Sequence, residues 1–193
     1  MLIFEVKLIN NMGRKPIKKH VFLTGYMGSG KTTIGLLLSK HLSLPFIDLD
    51  NEIEEDEKMP ISEIFKKKGE DYFRNKESNM LKKIIKNNDA AVIALGGGSI
   101  SNSNNLNAIK IDGLLIYLEA SASTIVNRIK NEASKRPLLT QFSTDDALLN
   151  FIEPHINSRL KNYQKADIAI KTDEKNWGEI ISEITEIIGS NIN

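Results

Sequence analysis

Residues 25–32 read Gly-Tyr-Met-Gly-Ser-Gly-Lys-Thr, the full eight-residue pattern of a phosphate-binding loop. An apolar run at 21–23 precedes the loop and a helical pattern at 33–42 follows it, so the loop leads from a strand into a helix. Glycines let backbone N–H groups curl around an anion, and the helix N-terminus adds partial positive charge. A plain glycine-rich turn is the alternative, and the match at all eight positions argues against it. We therefore predict that this loop binds nucleotide phosphates.

The last two side chains of the loop extend this prediction. Lys31 can reach the terminal phosphates of a nucleotide, where its charge offsets theirs. The hydroxyl of Thr32 is an oxygen ligand of the kind that Mg²⁺ prefers. The loop thus predicts a bound nucleotide together with Mg²⁺.

Composition limits the classes of protein that need to be considered. The chain has 193 residues, of which 40% are hydrophobic and 26% charged, which suits a single globular α/β domain with a small insertion. With 26 Lys and Arg against 25 Asp and Glu, the net charge of +1 gives no electrostatic case for a nucleic-acid or membrane partner. The absence of cysteine excludes disulfides and thiolate metal sites and fits a reducing compartment.

The N-terminal segment does not have the order of a secretory signal. An apolar run at 1–4 is followed by basic residues, whereas a signal peptide has its charge first. No apolar stretch of the sequence approaches the roughly 20 residues of a membrane span. We therefore expect a cytoplasmic protein in which residues 1–19 form an N-terminal tail or lead-in to one domain at 20–193.

Strand and helix patterns alternate along the chain, which predicts a parallel sheet flanked by helices. Three helical stretches without an intervening strand form an insertion at 50–86, and a loop at 135–146 without periodicity is expected to be mobile. The five predicted strands are 21–23, 44–48, 90–95, 113–118 and 168–170, and the other predicted helices are 33–42, 122–131, 147–165 and 177–188.

Asp48 and Asp50 follow the second predicted strand, where open parallel sheets carry their functional residues. In an extended backbone, residues two apart point the same way about 7 Å apart, so both carboxylates could face one pocket. One could hold Mg²⁺ through water while the other accepts a proton from an attacking hydroxyl. A helix N-cap at Asp50 with Asp48 in a turn is the alternative, and the pair alone does not decide between the two.

Two further features suggest a second ligand. Gly96, Gly97 and Gly98 end the third predicted strand and leave bare backbone whose N–H groups suit a carboxylate. A tight turn explains one of these glycines well and three less well. Arg74 lies one turn into the last insertion helix, although an ion pair with Glu77 three residues later is a simpler account of that arginine alone.

Taken together, these residues resemble the shikimate kinase family. The resemblance runs in order from about residue 20 to about 188, and it implies a P-loop NTPase fold of the nucleoside-monophosphate-kinase type. That fold has a five-stranded parallel sheet, a helical substrate-binding insertion at 50–86 and a mobile lid at 133–146. The matching segments are the loop at 25–33, Asp48 with Asp50, the segment ending at Arg74, the three glycines, 136–139, Arg159, Tyr163 and 166–167.

The resemblance also implies an activity, a transferase step in aromatic amino-acid biosynthesis. The γ-phosphate of ATP would pass to the 3-hydroxyl of shikimate, with Mg²⁺ as the metal, in an enzyme expected to act as a monomer. Asp50 would orient the substrate hydroxyls and act as the base, and Asp48 would hold Mg²⁺ through water beside Thr32. Arg74 and Arg159 would grip the substrate carboxylate as planar forks of donors.

The remaining implied roles concern the nucleotide and the closure of the site. Arg136 on the lid would swing over the phosphates and stabilise the transferring group, and Lys31 would share that catalytic role. Arg128 would stack on adenine, whereas Trp177 is expected to be a packing residue. The other residues implied to bind the substrate are Gly96, Gly97 and Gly98, and those implied to bind the nucleotide are Gly28, Ser29, Gly30, Lys31, Thr32 and Thr33.

Rival functions remain open at this point. A kinase of another small acid such as gluconate, or of a nucleotide, is one alternative, and a non-catalytic nucleotide-binding regulator is another. A GTP-dependent switch would carry Asn-Lys-x-Asp, whereas residues 75–78 read Asn-Lys-Glu-Ser. The two arginines and the three glycines favour a small acid over a nucleoside monophosphate.

Overall fold

The computed structural model describes residues 20–130, 142 and 144–192. Its five strands are β1 (His20–Thr24), β2 (Phe46–Asp48), β3 (Val92–Ala94), β4 (Gly113–Glu119) and β5 (Ile168–Lys171). The α-helices among the described residues are α1 (Lys31–Leu42), α2 (Leu49–Glu57), α3 (Ile61–Lys68), α4 (Glu70–Asn87), α5 (Ser103–Asp112), α6 (Ala122–Ile129), α7 (Asp145–Tyr163) and α8 (Trp177–Ile192). The 3₁₀ turn Ser99–Ser101 precedes α5.

The five strands form one parallel sheet in the order β2-β3-β1-β4-β5. The predicted five-stranded parallel sheet flanked by helices is therefore confirmed. The chain builds β2 and β3 on one side of β1, and β4 and β5 on the other. In such sheets the crevice beyond the carboxyl ends of the strands, next to the strand where the order reverses, is the usual ligand site.

Successive side chains of a strand point to opposite faces of the sheet, and each face is covered by a hydrophobic core. Val21 and Leu23 of β1 point to one face, where α1 and α8 pack, and Phe22 points to the other, where α2, α3, α4 and α5 pack. All three side chains are buried, and burial of each such apolar side chain stabilises the fold by about 1.5 to 3 kcal/mol. The helices of the insertion are thus anchored to the sheet rather than attached as a separate unit.

The chain between β2 and β3 contains three helices and no strand, as the sequence predicts. Glu57 at the end of α2 connects them: it accepts hydrogen bonds from Lys68 of α3 and, at 2.9 Å, from the Tyr72 hydroxyl of α4. Lys76 of α4 also lies 2.7 Å from the Glu57 carboxylate. These polar contacts fix α2, α3 and α4 relative to one another.

Two features differ from the sequence-based expectations. Helix α5 was not predicted, because its asparagine-rich sequence has little amphipathic pattern. It is capped by Asn102, whose side chain accepts from the N–H of Asn104, and it packs against β4. The predicted loop at 135–146 extends too far, because Thr144 accepts from the N–H of Ala147 and caps a helix that already begins at Asp145.

Other predictions fall on residues that the structure does not describe. Residues 1–19, and 133–141 and 143 of the expected lid, lie outside the described part of the chain. Among the described helices, none is both long and apolar enough to cross a membrane.

Candidate active site

The loop at 25–32 leaves the carboxyl end of β1 and runs into α1. Gly28 and Gly30 have φ angles of +78° and +99°, which residues with a side chain rarely adopt. Within the described part of the chain no side chain caps the N-terminus of α1, and a helix N-terminus attracts an anion. Lys31 donates from Nζ to the carbonyl oxygens of Gly25 at 2.9 Å and of Tyr26 at 3.1 Å, so its ammonium group lies over the loop.

Thr32 and Asp48 meet beside this loop. The Thr32 hydroxyl donates to Asp48 Oδ2 at 2.9 Å, which brings together two oxygen ligands suited to Mg²⁺. Thr33, the next residue of α1, is exposed. Asp48 also caps α2, because its Oδ1 accepts from the N–H of Asp50 at 3.2 Å. The metal and capping interpretations of Asp48 are thus compatible, although the cap is Asp48 rather than Asp50.

The acid pair lies at the junction that the sequence predicts, between a strand ending at 48 and an insertion of helices from 50. Strand β2 ends at Asp48 and α2 begins at Leu49, so Asp50 lies in a helix and not in an extended segment. The two residues nevertheless remain near neighbours, since the Asp48 carboxylate accepts from the N–H of Asp50. Helical geometry, rather than strand alternation, brings them together.

The carboxyl group of Asp50 is tuned by its surroundings. Burial, followed by the charge of Asp48, raises its pKa from 3.8 to about 6, and the Glu77 and Glu54 carboxylates add to the rise. The ammonium group of Lys31 opposes this shift. A carboxylate whose pKa lies near neutral pH is well suited to accept a proton from a hydroxyl.

The three glycines at the end of β3 form a floor against which three functional side chains lie. A Cβ atom at Gly96 would lie 2.8 Å from Asp50 Oδ1, and one at Gly98 would lie 3.1 Å from Arg74 Nη2. A Cβ atom at Gly97 would lie 3.2 Å from Arg159 Nη1. The absence of side chains here lets the acid and both guanidinium groups approach the same stretch of backbone.

Arg74 and Arg159 reach this floor from α4 and α7. Arg74 Nη1 donates to Glu77 Oε2 at 3.1 Å, so the expected ion pair is present and holds the guanidinium group toward Gly98. Arg159 lies over the ring of Tyr26, with Cζ 5.6 Å from the ring centroid. Two arginines that are 85 positions apart in the sequence therefore place their guanidinium groups beside the same three glycines.

Glu77 is a site residue whose importance the sequence did not reveal. Its side chain is only 1% exposed, and Oε1 accepts a 2.6 Å hydrogen bond from Ser99 while Oε2 accepts from Arg74. A Cβ atom at Gly96 would lie 3.0 Å from the same carboxylate. Its i, i+3 spacing from Arg74 was the only signal, and that signal is shared by ordinary surface ion pairs.

Tyr163 supports the glycine floor from behind. Its hydroxyl donates to the carbonyl oxygen of Gly97 at 2.9 Å, and its ring stacks on Tyr117 with centroids 4.8 Å apart. Burial raises the pKa of Tyr163 above its ordinary value, so the hydroxyl stays protonated as a donor. Gly97 is thereby held by its connection to β3 and by the hydrogen bond from Tyr163 of α7.

Arg128 of α6 contacts the middle of the phosphate loop. It contacts the carbonyl oxygens of Gly28 and Ser29, and it borders residue 172 in the segment where the adenine contacts were expected. Arg136 lies outside the described residues. The structure thus brings together the described residues of both predicted subsites, one around the loop and one around the glycines.

The chain is similar in sequence and in structure to known proteins. The sequence model of the shikimate kinase family matches residues 27–189. A shikimate kinase from Flavobacterium psychrophilum is 40% identical over 171 residues, covering 88% of this chain and 99% of that protein. Among solved structures, the shikimate kinase of Bacteroides thetaiotaomicron has a TM-score of 0.81 and 33% identity, covering 88% of this chain and 98% of that one.

A further solved structure is similar and includes a ligand. The shikimate kinase from Acinetobacter baumannii, in complex with shikimate, has a TM-score of 0.78 and 31% identity. The alignment covers 91% of this chain and 94% of that one. Both the family match and the identity to its members extend over most of the sequence. This chain therefore belongs to the shikimate kinase family.

Proposed function

We propose that this protein transfers the γ-phosphate of ATP to the 3-hydroxyl of shikimate. The observation that carries the proposal is the convergence of Arg74, Arg159 and Asp50 on one floor of bare backbone beside the phosphate loop. Two guanidinium groups are suited to bind a carboxylate, and the Asp50 carboxylate is suited to accept a proton from a hydroxyl. Shikimate has both groups, and membership of the shikimate kinase family supports this assignment.

The donor is held by the loop. Backbone N–H groups of the loop, apart from that of Ser29, which donates to the carbonyl oxygen of Tyr26, surround the phosphates together with the N-terminus of α1. Lys31 exchanges its present carbonyl contacts for phosphate oxygens. Thr32 and, through water, Asp48 would hold Mg²⁺, a role that their paired oxygen atoms fit. The metal would offset negative charge on the phosphate oxygens.

The acceptor is held by the insertion and the glycines. Arg74 and Arg159 bind the carboxylate, and the N–H groups of Gly96, Gly97 and Gly98 complete the pocket. Asp50 orients the 3-hydroxyl and accepts its proton as the hydroxyl oxygen bonds to phosphorus. The bond from phosphorus to the β–γ bridging oxygen breaks, and ADP leaves with that electron pair.

Several parts of the proposal rest on the family resemblance. Arg136, on a lid at 133–146, would stabilise charge on the transferring group, and Arg128 would stack on adenine. The division into a tail at 1–19, a kinase domain at 20–193 and a substrate-binding insertion at 50–86 is proposed on the same basis. Monomeric state and cytoplasmic location stay predictions.

A coupled assay of ADP release tests the proposed activity. The acceptors are shikimate, gluconate and a panel of nucleoside monophosphates, each with ATP and Mg²⁺. We expect ADP release that depends on shikimate, with shikimate 3-phosphate as the product by mass spectrometry. Preferential turnover of gluconate would favour the alternative kinase, and ATP binding without ADP release would favour a non-catalytic regulator.

A further inference from the structure

Arg128, near the end of α6, is bound to the carbonyl side of the phosphate loop. Its Nη1 donates to the carbonyl oxygen of Ser29 at 3.3 Å and, more weakly, to that of Gly28 at 3.5 Å. The same guanidinium group donates to Thr172, at 3.0 Å to Oγ1 and at 2.7 Å to the carbonyl oxygen. Arg128 therefore connects the loop to the segment that follows β5.

That segment is itself held firmly. Thr172 is fully buried, and both its N–H and its hydroxyl donate to the carbonyl oxygen of Glu119, at 2.8 Å and 3.0 Å. Glu119 is the last residue of β4. The guanidinium group of Arg128 is thus anchored on the sheet, and the loop is attached to that anchor.

Peptide planarity transmits this contact to the phosphate side of the loop. The peptide between Gly28 and Ser29 is held at both ends, because its carbonyl accepts from Arg128 and its N–H donates to Tyr26 O at 3.1 Å. The next peptide has its carbonyl held by Arg128, so its trans geometry turns the N–H of Gly30 to the opposite side. A loop that binds anions through N–H groups depends on such orientations.

Trp177 supports the same contact from α8. The Arg128 Cζ atom lies 4.9 Å from the indole ring centroid. A Cβ atom at Gly30 would lie 3.1 Å from the same ring, so Trp177 touches both the arginine and the loop. A base stacked between the guanidinium group and the indole would need these two groups to be about 7 Å apart, twice a van der Waals contact. The observed 4.9 Å is too short for a base to lie between them.

We propose that Arg128 is a positioning residue for the phosphate loop, supported by Trp177, and that the pair sets the affinity of the loop for a polyphosphate chain even without a base. This inference rests on the proposed donor site and deepens it. It assigns to Arg128 a function on the carbonyl side of the loop in addition to any contact with adenine. It also turns Trp177 from a packing residue into part of the donor site.

The test uses a ligand that has phosphates and no base. Binding of inorganic tripolyphosphate with Mg²⁺ is measured by calorimetry for the wild type and for Arg128→Ala, Arg128→Lys, Trp177→Ala and Trp177→Phe. We expect Arg128→Ala to raise the Kd about tenfold, since it removes charge-assisted hydrogen bonds. Arg128→Lys should show most of the same rise in Kd, because an ammonium group lacks the planar fork of donors of a guanidinium group. Trp177→Phe should bind tripolyphosphate more tightly than Trp177→Ala.

Lys130→Ala provides the matched control for charge. Lys130 is two residues from Arg128, has a side chain 41% exposed and pairs with Asp145 at the surface. The Lys130→Ala substitution removes one positive charge, as Arg128→Ala does, but leaves the contacts of the loop intact. We therefore expect its tripolyphosphate affinity to lie within twofold of the wild type. An equal loss in Lys130→Ala and Arg128→Ala would reduce the effect to general electrostatics and overturn the proposal.

Other outcomes also decide the question. Unchanged tripolyphosphate binding with weakened ADP binding in Arg128→Ala would assign Arg128 to the base alone and overturn the proposal. If Arg128→Ala does not fold by circular dichroism, Arg128→Lys carries the test, and wild-type affinity in that variant would overturn it too. Failure of shikimate turnover would leave these measurements intact, because they contain no acceptor.

Discussion

Asp50 is the residue whose chemistry depends most on its surroundings. Its pKa of about 6 means that the proposed base is ionised above that pH and protonated below it. We therefore expect kcat/KM for shikimate to fall as pH decreases through about 6, because a protonated carboxyl group cannot accept the hydroxyl proton. Asp50→Asn should lose most of kcat and lack this acid limb. An unchanged pH profile in Asp50→Asn would exclude Asp50 as the base.

The raised pKa of Asp50, which suits its proposed role as a base, makes the ionised carboxylate unfavourable for folding at neutral pH. Because the folded pKa lies above the ordinary value of 3.8, Asp50 favours folding most at low pH, and this contribution is lost as pH rises from about 4 to about 6. We expect Asp50→Asn to raise the free energy of unfolding at pH 7 by up to about 2 to 3 kcal/mol. Urea unfolding at pH 7 and at pH 4.5 measures this, and a gain that does not shrink at the lower pH would contradict it.

Arg74 and Arg159 make a prediction about the acceptor alone. Replacing either with Ala removes a charge-assisted contact to the carboxylate, worth on the order of 2 to 5 kcal/mol where the pair is buried. We expect a large rise in the KM for shikimate and little change in the KM for ATP. Lys82→Ala, an exposed change on the same helix as Arg74, is the control. Unchanged shikimate affinity would remove that arginine from the site.

At the scale of an element, Asp48 combines a helix cap with the proposed metal contact. Asp48→Asn keeps an oxygen that can cap α2 but removes the charge, whereas Asp48→Ala removes both. We expect both variants to need more Mg²⁺ for half-maximal activity, and only Asp48→Ala to lose about 1 kcal/mol of stability. Titration of Mg²⁺ and thermal unfolding separate the two effects. A normal Mg²⁺ requirement in Asp48→Asn would show that Asp48 is only a cap.

At the scale of the whole molecule, Glu57 holds the insertion helices in one arrangement. Hydrogen bonds from Lys68, and then from Lys76 and Tyr72, lower the pKa of Glu57 from 4.5 to about 2. Its contribution to stability is therefore present above about 4.5 and is lost as pH falls toward 2. We expect Glu57→Gln to lower the urea midpoint at pH 7 and to raise the KM for shikimate, with the ATP KM unchanged.

The control for Glu57 is an exposed ion pair of the insertion. Glu63 pairs with Lys67 one turn later in α3, with both side chains about half exposed, so Glu63→Gln should have little effect. The difference in stability between Glu57→Gln and the wild type should vanish as pH falls toward 2. A difference that stays constant with pH would mean that the Glu57 charge does not hold the helices.

The site as a whole is assembled by the topology of the sheet. The loop follows β1, the acids follow β2, the glycines follow β3, and Arg159 comes from the helix before β5. Because all five strands are parallel, these segments meet at one edge of the sheet. Contacts between distant positions such as Gly97 and Arg159 are consequences of that arrangement.

Local sequence patterns predict the strands, the phosphate loop and the types of residue in the site. Local patterns suffice for these because alternation, helical periodicity and the loop glycines act over a few residues. They do not predict α5, whose stability comes from packing against β4 rather than from its own amphipathic pattern.

The way in which the functional side chains combine depends on the packing of the whole chain. The fold places the Asp50 carboxylate beside Gly96, buries Glu77 between Arg74 and Ser99, and sets Arg128 on the carbonyl side of the loop. Each of these depends on burial and on contacts between segments far apart in the sequence. The physical reason is that pKa values and the orientation of hydrogen-bond donors depend on the surrounding atoms, which local sequence patterns do not specify.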